Sequence, residues 1–335
     1  MALPMDLRGT VEIHDFTSGR LAGNPLGDPI QRPLAIYLPP GYAAEPPRRY
    51  PVLYFLAGFA GTGLSFLNWN AWQENLPGRL DRLIAGGMAP AIAVFPDCFT
   101  LLGGSQYVNS TALGRYEDYL CDEIVPFVDA SFRTTGRRAV LGKSSGGFGA
   151  LWLSLRRPGL FAAAASHAGD CAFDLTLARS FPDAAARLAH QGGVARVLAR
   201  LRAGEAPEPS SIDLLSILAT AAAFSPQPAP EPWGFRLPFD PETGVTVPDV
   251  FDRWLSFDPL RAAAPRREAL ASLSLLYLDA GREDEYGLQF GARLLSRELS
   301  RLGVAHRHEE FTGGHRGNAG RYDVSIPLAV SALVV

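Results

Sequence analysis

The chain has 335 residues, of which 47% are hydrophobic and 19% charged, with a formal net charge of −3. That balance excludes a disordered or coiled-coil chain. With no Lys/Arg cluster it also removes the electrostatic basis for a nucleic-acid or anionic-membrane partner. Cys98, Cys121 and Cys171 are odd in number and widely spaced, so neither a disulfide framework nor a zinc site is expected.

Met1 to Asp6 lacks the basic and apolar regions of a signal peptide. No apolar run approaches the ~18 residues of a membrane span, so a soluble cytoplasmic protein is expected.

In chain order, short aliphatic runs predict strands near Val11–Phe16, Leu34–Leu38, Val52–Ala57, Ala91–Phe95, Ala139–Gly142, Ala162–Ser166, Leu273–Asp279 and His306–Phe311. The first two, joined by a Gly- and Pro-rich loop, read as an antiparallel edge. Between the strands lie helical patterns near Trp72–Ala85, Tyr116–Ala130, Ser145–Leu155 and Leu288–Leu302, with a last helix in the apolar tail from Ser325 to Val335. The alternation predicts an α/β fold: a mostly parallel, twisted sheet of about eight strands with helices on both faces.

The regular alternation breaks between about Cys171 and Glu268. Ala184–Arg202 and Ile212–Ala223 look helical, whereas Pro207, 209, 226, 228, 230, 232, 238, 241 and 248 crowd the stretch around the latter. A long irregular segment inside a compact domain reads as a binding loop or lid. The expected organisation is therefore a core of residues 1–170 and 270–335 carrying a Pro-rich, partly helical cap at 171–269.

The chemistry concentrates at Gly142-Lys143-Ser144-Ser145-Gly146, between the buried strand Arg138–Leu141 and a helix beginning at Ser145. A strand, a sharp turn and a helix form the context in which G-x-S-x-G presents a nucleophile. Only small residues two before and two after the serine tolerate such a turn, and Gly142 and Gly146 meet that need. A phosphate loop would require glycine at position 137, which is Arg137, so that reading fails on spacing.

A serine hydroxyl needs a base, a group that orients the base, and donors for the oxyanion. Of the six histidines, His14 precedes the sheet core, His190 lies on a helix of the insertion, and His306 and His308 lie in a strand. His315 directly follows the last strand in Phe311-Thr312-Gly313-Gly314-His315, and is the expected base. His167, in Ser166-His167-Ala168-Gly169-Asp170, precedes every later acid and reads as a pocket wall or a structural residue.

The strand Leu275–Asp279 runs through Gly281 into Arg282-Glu283-Asp284-Glu285. Asp284 is the expected acid, with Asp279 its rival and Glu283 and Glu285 read as solvated charges. Oxyanion donors are expected from the backbone N–H of Ser145, at a helix start, and of Phe59, in Leu56-Ala57-Gly58-Phe59-Ala60-Gly61. Substrate contacts are expected from Gly58, Gln106, Tyr107, His167 and Trp254, with Phe66, Trp69, Trp72, Trp233 and Phe235 as further aromatic candidates.

These segments, with Tyr37-Leu38-Pro39-Pro40-Gly41-Tyr42, Tyr50–Phe59, Phe95-Pro96-Asp97, Gly104-Ser105-Gln106-Tyr107 and Tyr116-Glu117-Asp118-Tyr119-Leu120, make the chain resemble the putative-esterase family of α/β-hydrolases. That group includes S-formylglutathione hydrolase, feruloyl and acetylxylan esterases, enterochelin esterases and the mycolyltransferases. The likeness covers most of the chain outside the insertion and implies ester or thioester hydrolysis without metal or other cofactor. Many members carry His-Gly where this chain has Ala57-Gly58, a change that leaves backbone donors in place.

The expected function is a serine esterase acting on a small-molecule ester, with a homodimer admitted. An acyltransferase or an S-acylglutathione-type thioesterase would use the same three residues. A binding protein on this fold would normally have lost one of them.

Overall fold

In a computed structural model that describes residues 7–69, 73–227 and 233–334, the core is an eight-stranded sheet. Its strands are β1 (Thr10–Thr17), β2 (Gln31–Leu38), β3 (Tyr50–Leu56), β4 (Ile92–Phe95), β5 (Thr134–Lys143), β6 (Ala163–His167), β7 (Leu275–Gly281) and β8 (Arg307–Phe311). The spatial order is β1-β2-β4-β3-β5-β6-β7-β8. β2 pairs antiparallel with both β1 and β4, and every later neighbour is parallel. The predicted antiparallel edge and parallel body are both present.

Both faces of the central strands are buried, which explains why they read as continuous apolar runs rather than as alternating ones. In β3, Val52, Tyr54 and Leu56 join one core, whereas Leu53 and Phe55 join the other. The first core is covered by the helices Ser145–Arg156 and Leu288–Arg301 and by a helical stretch from Tyr116 to Ser131 with a π-helical turn at Tyr119–Ile124. The second is covered by Leu76–Ala85 and the C-terminal helix Tyr322–Leu333. The first of these last two starts later than the sequence pattern suggests because Asn75 caps it, accepting from the Gly78 N–H at 3.0 Å. Trp72 lies outside the described residues.

The insertion packs onto the first core through an aromatic seam. Phe224 stacks on Phe257 at 4.5 Å, while Phe148 and Trp152 of the core meet Phe224 at 5.4 Å and Phe257 at 5.0 Å. Asp258 ties the ends of the insertion together by accepting from the Ala172 and Phe173 N–H groups, each at 2.9 Å. The helix Ile212–Phe224 is buried almost all round, as its sequence, apolar on every side, requires.

The single helix expected over Ala184–Arg202 is two, Phe181–His190 and Val194–Arg202, because Gly192 and Gly193 both adopt positive φ. Pro248, which looked like a breaker, starts the helix Pro248–Leu255, and Pro259 likewise occupies the first position of Pro259–Ala263. Pro228, Pro230 and Pro232 lie outside the described residues. Among the described residues no helix is long and apolar enough to cross a membrane.

Candidate active site

The carboxyl ends of the parallel strands carry the chemistry, as expected where loops leave such a sheet. β5 runs into Ser144, whose backbone sits at φ +83° and ψ −115°. A non-glycine residue in that conformation is strained by roughly 1–3 kcal/mol and persists only where its surroundings leave no alternative. The turn is correspondingly tight. A Cβ on Gly142 would lie 2.2 Å from the Gly146 carbonyl oxygen, and one on Gly146 would lie 2.1 Å from that of Leu56. The two glycines are thus a condition of the serine's position.

His315 follows β8, and its Nε2 is 3.0 Å from Ser144 Oγ. Its Nδ1 lies 2.8 Å from Asp284 Oδ2. Asp284 is fixed in turn by the Tyr286 N–H, which donates to Oδ1 at 3.0 Å. The three side chains predicted to act together form one unbroken hydrogen-bonded chain. Neither the Phe59 N–H nor the Ser145 N–H donates to an acceptor among the described residues, and both residues line the cleft in front of Ser144.

That cleft has a volume of about 710 Å³. The insertion supplies one wall through Leu177, Arg179, Asp213 and Ile217, and the core supplies the floor through Gly58, Phe66, Lys143 and Tyr286. Burial pulls the Lys143 ammonium below its usual range, against the opposing pull of Asp284. Asp170, immediately after β6, lines the same cleft with no donor among the described residues. Burial raises its carboxyl to about 6, with His315 opposing the shift.

The other expected substrate contacts are elsewhere. Gln106 is buried and donates to Thr220 Oγ1 at 3.0 Å. Tyr107 is buried too, and its hydroxyl donates to the Ala57 carbonyl at 2.6 Å, so it braces the loop carrying Phe59 instead of touching a substrate. Both are sealed in because the insertion covers their loop. Trp254 is fully buried in the aromatic seam and donates to Ser225 Oγ at 3.0 Å. His167 is buried against the C-terminal helix, away from the cleft lining, and hydrogen-bonds Asp279. Asp279, the rival acid, is thereby committed to a different histidine.

Of the aromatic candidates, Phe66 reaches the cleft, whereas Phe235 is buried and Trp69 is exposed and away from the lining. Trp233 is partly buried against the first core, also away from the lining. His306 lies just before β8 rather than in it, 2.8 Å from Ser296 Oγ.

Two residues escaped sequence reasoning. Glu285 is not merely solvated: its carboxylate accepts the His315 N–H at 2.7 Å. Asn318 donates to the His315 carbonyl at 3.1 Å. Together they brace the base from both sides, and only their closeness in sequence to Asp284 and His315 signalled it.

With this geometry, residues 29–322 match the putative esterase family model. The chain belongs to the putative esterase family. Its mostly parallel eight-stranded sheet is that of the α/β-hydrolase fold. A stretch of 138 residues is 37% identical to Esterase Rv1288 of Mycobacterium tuberculosis, covering 40% of this chain and 28% of that esterase. The chain therefore spans well under two thirds of the curated relatives it matches. Among solved structures it is similar in fold to a ferulic acid esterase (TM-score 0.63, 18% identity, 98% of this chain and 100% of that one). It is also similar to the fluorophosphonate-binding serine hydrolase FphF of Staphylococcus aureus (TM-score 0.61, 15% identity, 98% and 99% covered).

Proposed function

We propose that the chain is a serine esterase that hydrolyses a small carboxylic ester through an acyl-enzyme on Ser144. The observation that carries this reading is the hydrogen-bonded run from Asp284 through His315 to Ser144 at the foot of the cleft. In it, His315 Nε2 removes the Ser144 proton as Oγ attacks the ester carbonyl carbon. Asp284 holds the imidazole tautomer and stabilises the imidazolium.

The Phe59 and Ser145 N–H groups receive the oxyanion, which a helix start also favours. Collapse of the tetrahedral intermediate breaks the ester C–O bond, and the alcohol leaves with the proton from His315. A water molecule then follows the same path to release the acid. Cys98, Cys121 and Cys171 are free and buried, which suits a reducing compartment, so a cytoplasmic location belongs to the same proposal.

A fluorophosphonate probe followed by peptide mapping tests the reading. One probe per chain is expected on the Ser144 peptide, with no labelling of Ser144→Ala and with p-nitrophenyl acetate turnover lost in step. Labelling of another serine, or undiminished turnover in Ser144→Ala, would refute it.

A further inference from the structure

A second Ser–His–Asp run lies on the inner side of the same strand ends. Ser325 Oγ of the C-terminal helix is 2.8 Å from His167 Nε2, and His167 Nδ1 is 2.8 Å from Asp279 Oδ1. The three residues are 0%, 3% and 1% exposed respectively, and none lines the cleft. This run meets no substrate. Its use must lie in what it holds.

What it holds is the nucleophile. The Ser144 N–H donates to the His167 carbonyl at 2.9 Å, and Lys143 and His167 are register partners across β5 and β6. One residue on, the Ala168 N–H donates to the Asp279 carbonyl at 2.7 Å. The backbone that anchors the strained Ser144 is thus itself pinned twice: by its own ladder to β7, and by the side chain of His167, whose two ring nitrogens are both engaged. The Tyr322 ring packs edge-on against the imidazole at 4.8 Å.

The same network also reaches the base. Asp279 Oδ2 accepts from Arg321 Nε at 2.8 Å, and Arg321 further contacts Glu309 at 2.5 Å. Arg321 ends the loop that begins at His315. One buried carboxylate therefore fixes both the strand end behind Ser144 and the far end of the histidine loop.

We infer that His167 is a positioning residue for Ser144: its buried bonds to Asp279 and Ser325 hold the carbonyl that keeps the nucleophile within reach of His315. This rests on the esterase reading above. An attacking atom misplaced by about 1 Å costs on the order of 10²-fold in rate without changing what binds. A residue that only supports the fold would lower thermal stability and leave each folded molecule's chemistry intact.

The test compares wild type, His167→Ala and His167→Asn with p-nitrophenyl acetate and a fluorophosphonate probe, at a temperature where circular dichroism shows each chain folded. His167→Ala is expected to lower kcat and the labelling rate constant together by about 30- to 100-fold, with KM within about twofold. His167→Asn, which keeps a donor toward Asp279, is expected to recover a substantial part of both. A lowered melting temperature with kcat and labelling within twofold of wild type overturns the inference.

Should His167→Ala not fold, Ser325→Ala decides. It frees one ring nitrogen and is expected to slow labelling about three- to tenfold, and an unchanged labelling rate overturns the inference. Absence of both labelling and ester turnover in wild type would instead fail the esterase reading, so the two failures are told apart.

Discussion

The two Ser–His–Asp runs have the same hydrogen-bond geometry and opposite surroundings. Ser144, His315 and Asp284 open on a cleft of about 710 Å³, with Ser144 on a turn at φ +83°. Ser325, His167 and Asp279 are sealed between the sheet and the C-terminal helix, with Ser325 in regular helix. Distances alone therefore do not make a nucleophile. The difference lies in backbone strain that projects the hydroxyl, in unused N–H donors beside it, and in a void that admits a carbonyl group.

The comparison breaks most visibly at the serines. Ser144→Ala is expected to lower kcat/KM for an activated ester by about 10⁴-fold or more, since the three residues act as a unit. Ser325→Ala should stay within about tenfold, because it removes only one bond of a supporting network. Steady-state kinetics on the purified variants checks both, and comparable losses from the two would dissolve the distinction.

At the acids the contrast changes in kind. Asp284→Asn should lower kcat about 10³- to 10⁴-fold by favouring the wrong imidazole tautomer, with a melting temperature close to wild type. Asp279→Asn weakens the pairing of Arg321, whose guanidinium lies 2.8 Å from Asp279, and should cost a few kcal/mol of stability beside a kcat loss of no more than about tenfold. Calorimetry beside kinetics separates them. A stability loss in Asp284→Asn with kcat preserved would reverse the assignment of the two carboxylates.

Much of this was legible in the sequence where local rules and the fold agree. The Gly142/Gly146 spacing, the aliphatic strands and the late position of His315 each follow from backbone sterics or sheet topology, and no distant contact was needed. Membership of the cleft was less legible, because the insertion decides it. Gln106 and Tyr107 read as substrate contacts, but the helix Ile212–Phe224 covers their loop, and Thr220 takes the Gln106 amide. Trp254 read as a pocket aromatic, yet its partners Phe181, Phe224 and Phe251 are scattered along the insertion. The proline at 248 looked like a breaker because its meaning depends on whether a helix follows. Asp170 was in plain sight one residue past Gly169, and nothing local showed that it lines the same cleft as His315.

Asp170 sharpens the comparison at its smallest scale. The sealed run gives each of its charges a partner, whereas in the cleft beside the open one the Asp170 carboxylate has no donor among the described residues and is lifted by burial to about 6, from an ordinary value of 3.8. Below pH 3.8 the folded and unfolded chains both hold this proton. Between there and about 6 the unfolded chain has lost it while the folded chain keeps it, so this group makes stability fall as pH rises through the window, after which its cost is constant. Asp170→Asn removes that cost. The shift alone corresponds to roughly 3 kcal/mol, and partial solvent access of the side chain reduces the expected gain to about 1 kcal/mol. That is a rise of about 1–2 °C in melting temperature at pH 8, shrinking toward zero near pH 4. Scans of both proteins across that range check it. A melting-temperature difference that does not vary with pH would mean Asp170 is as well accommodated as the carboxylate of the sealed run, and that the open site carries no such cost.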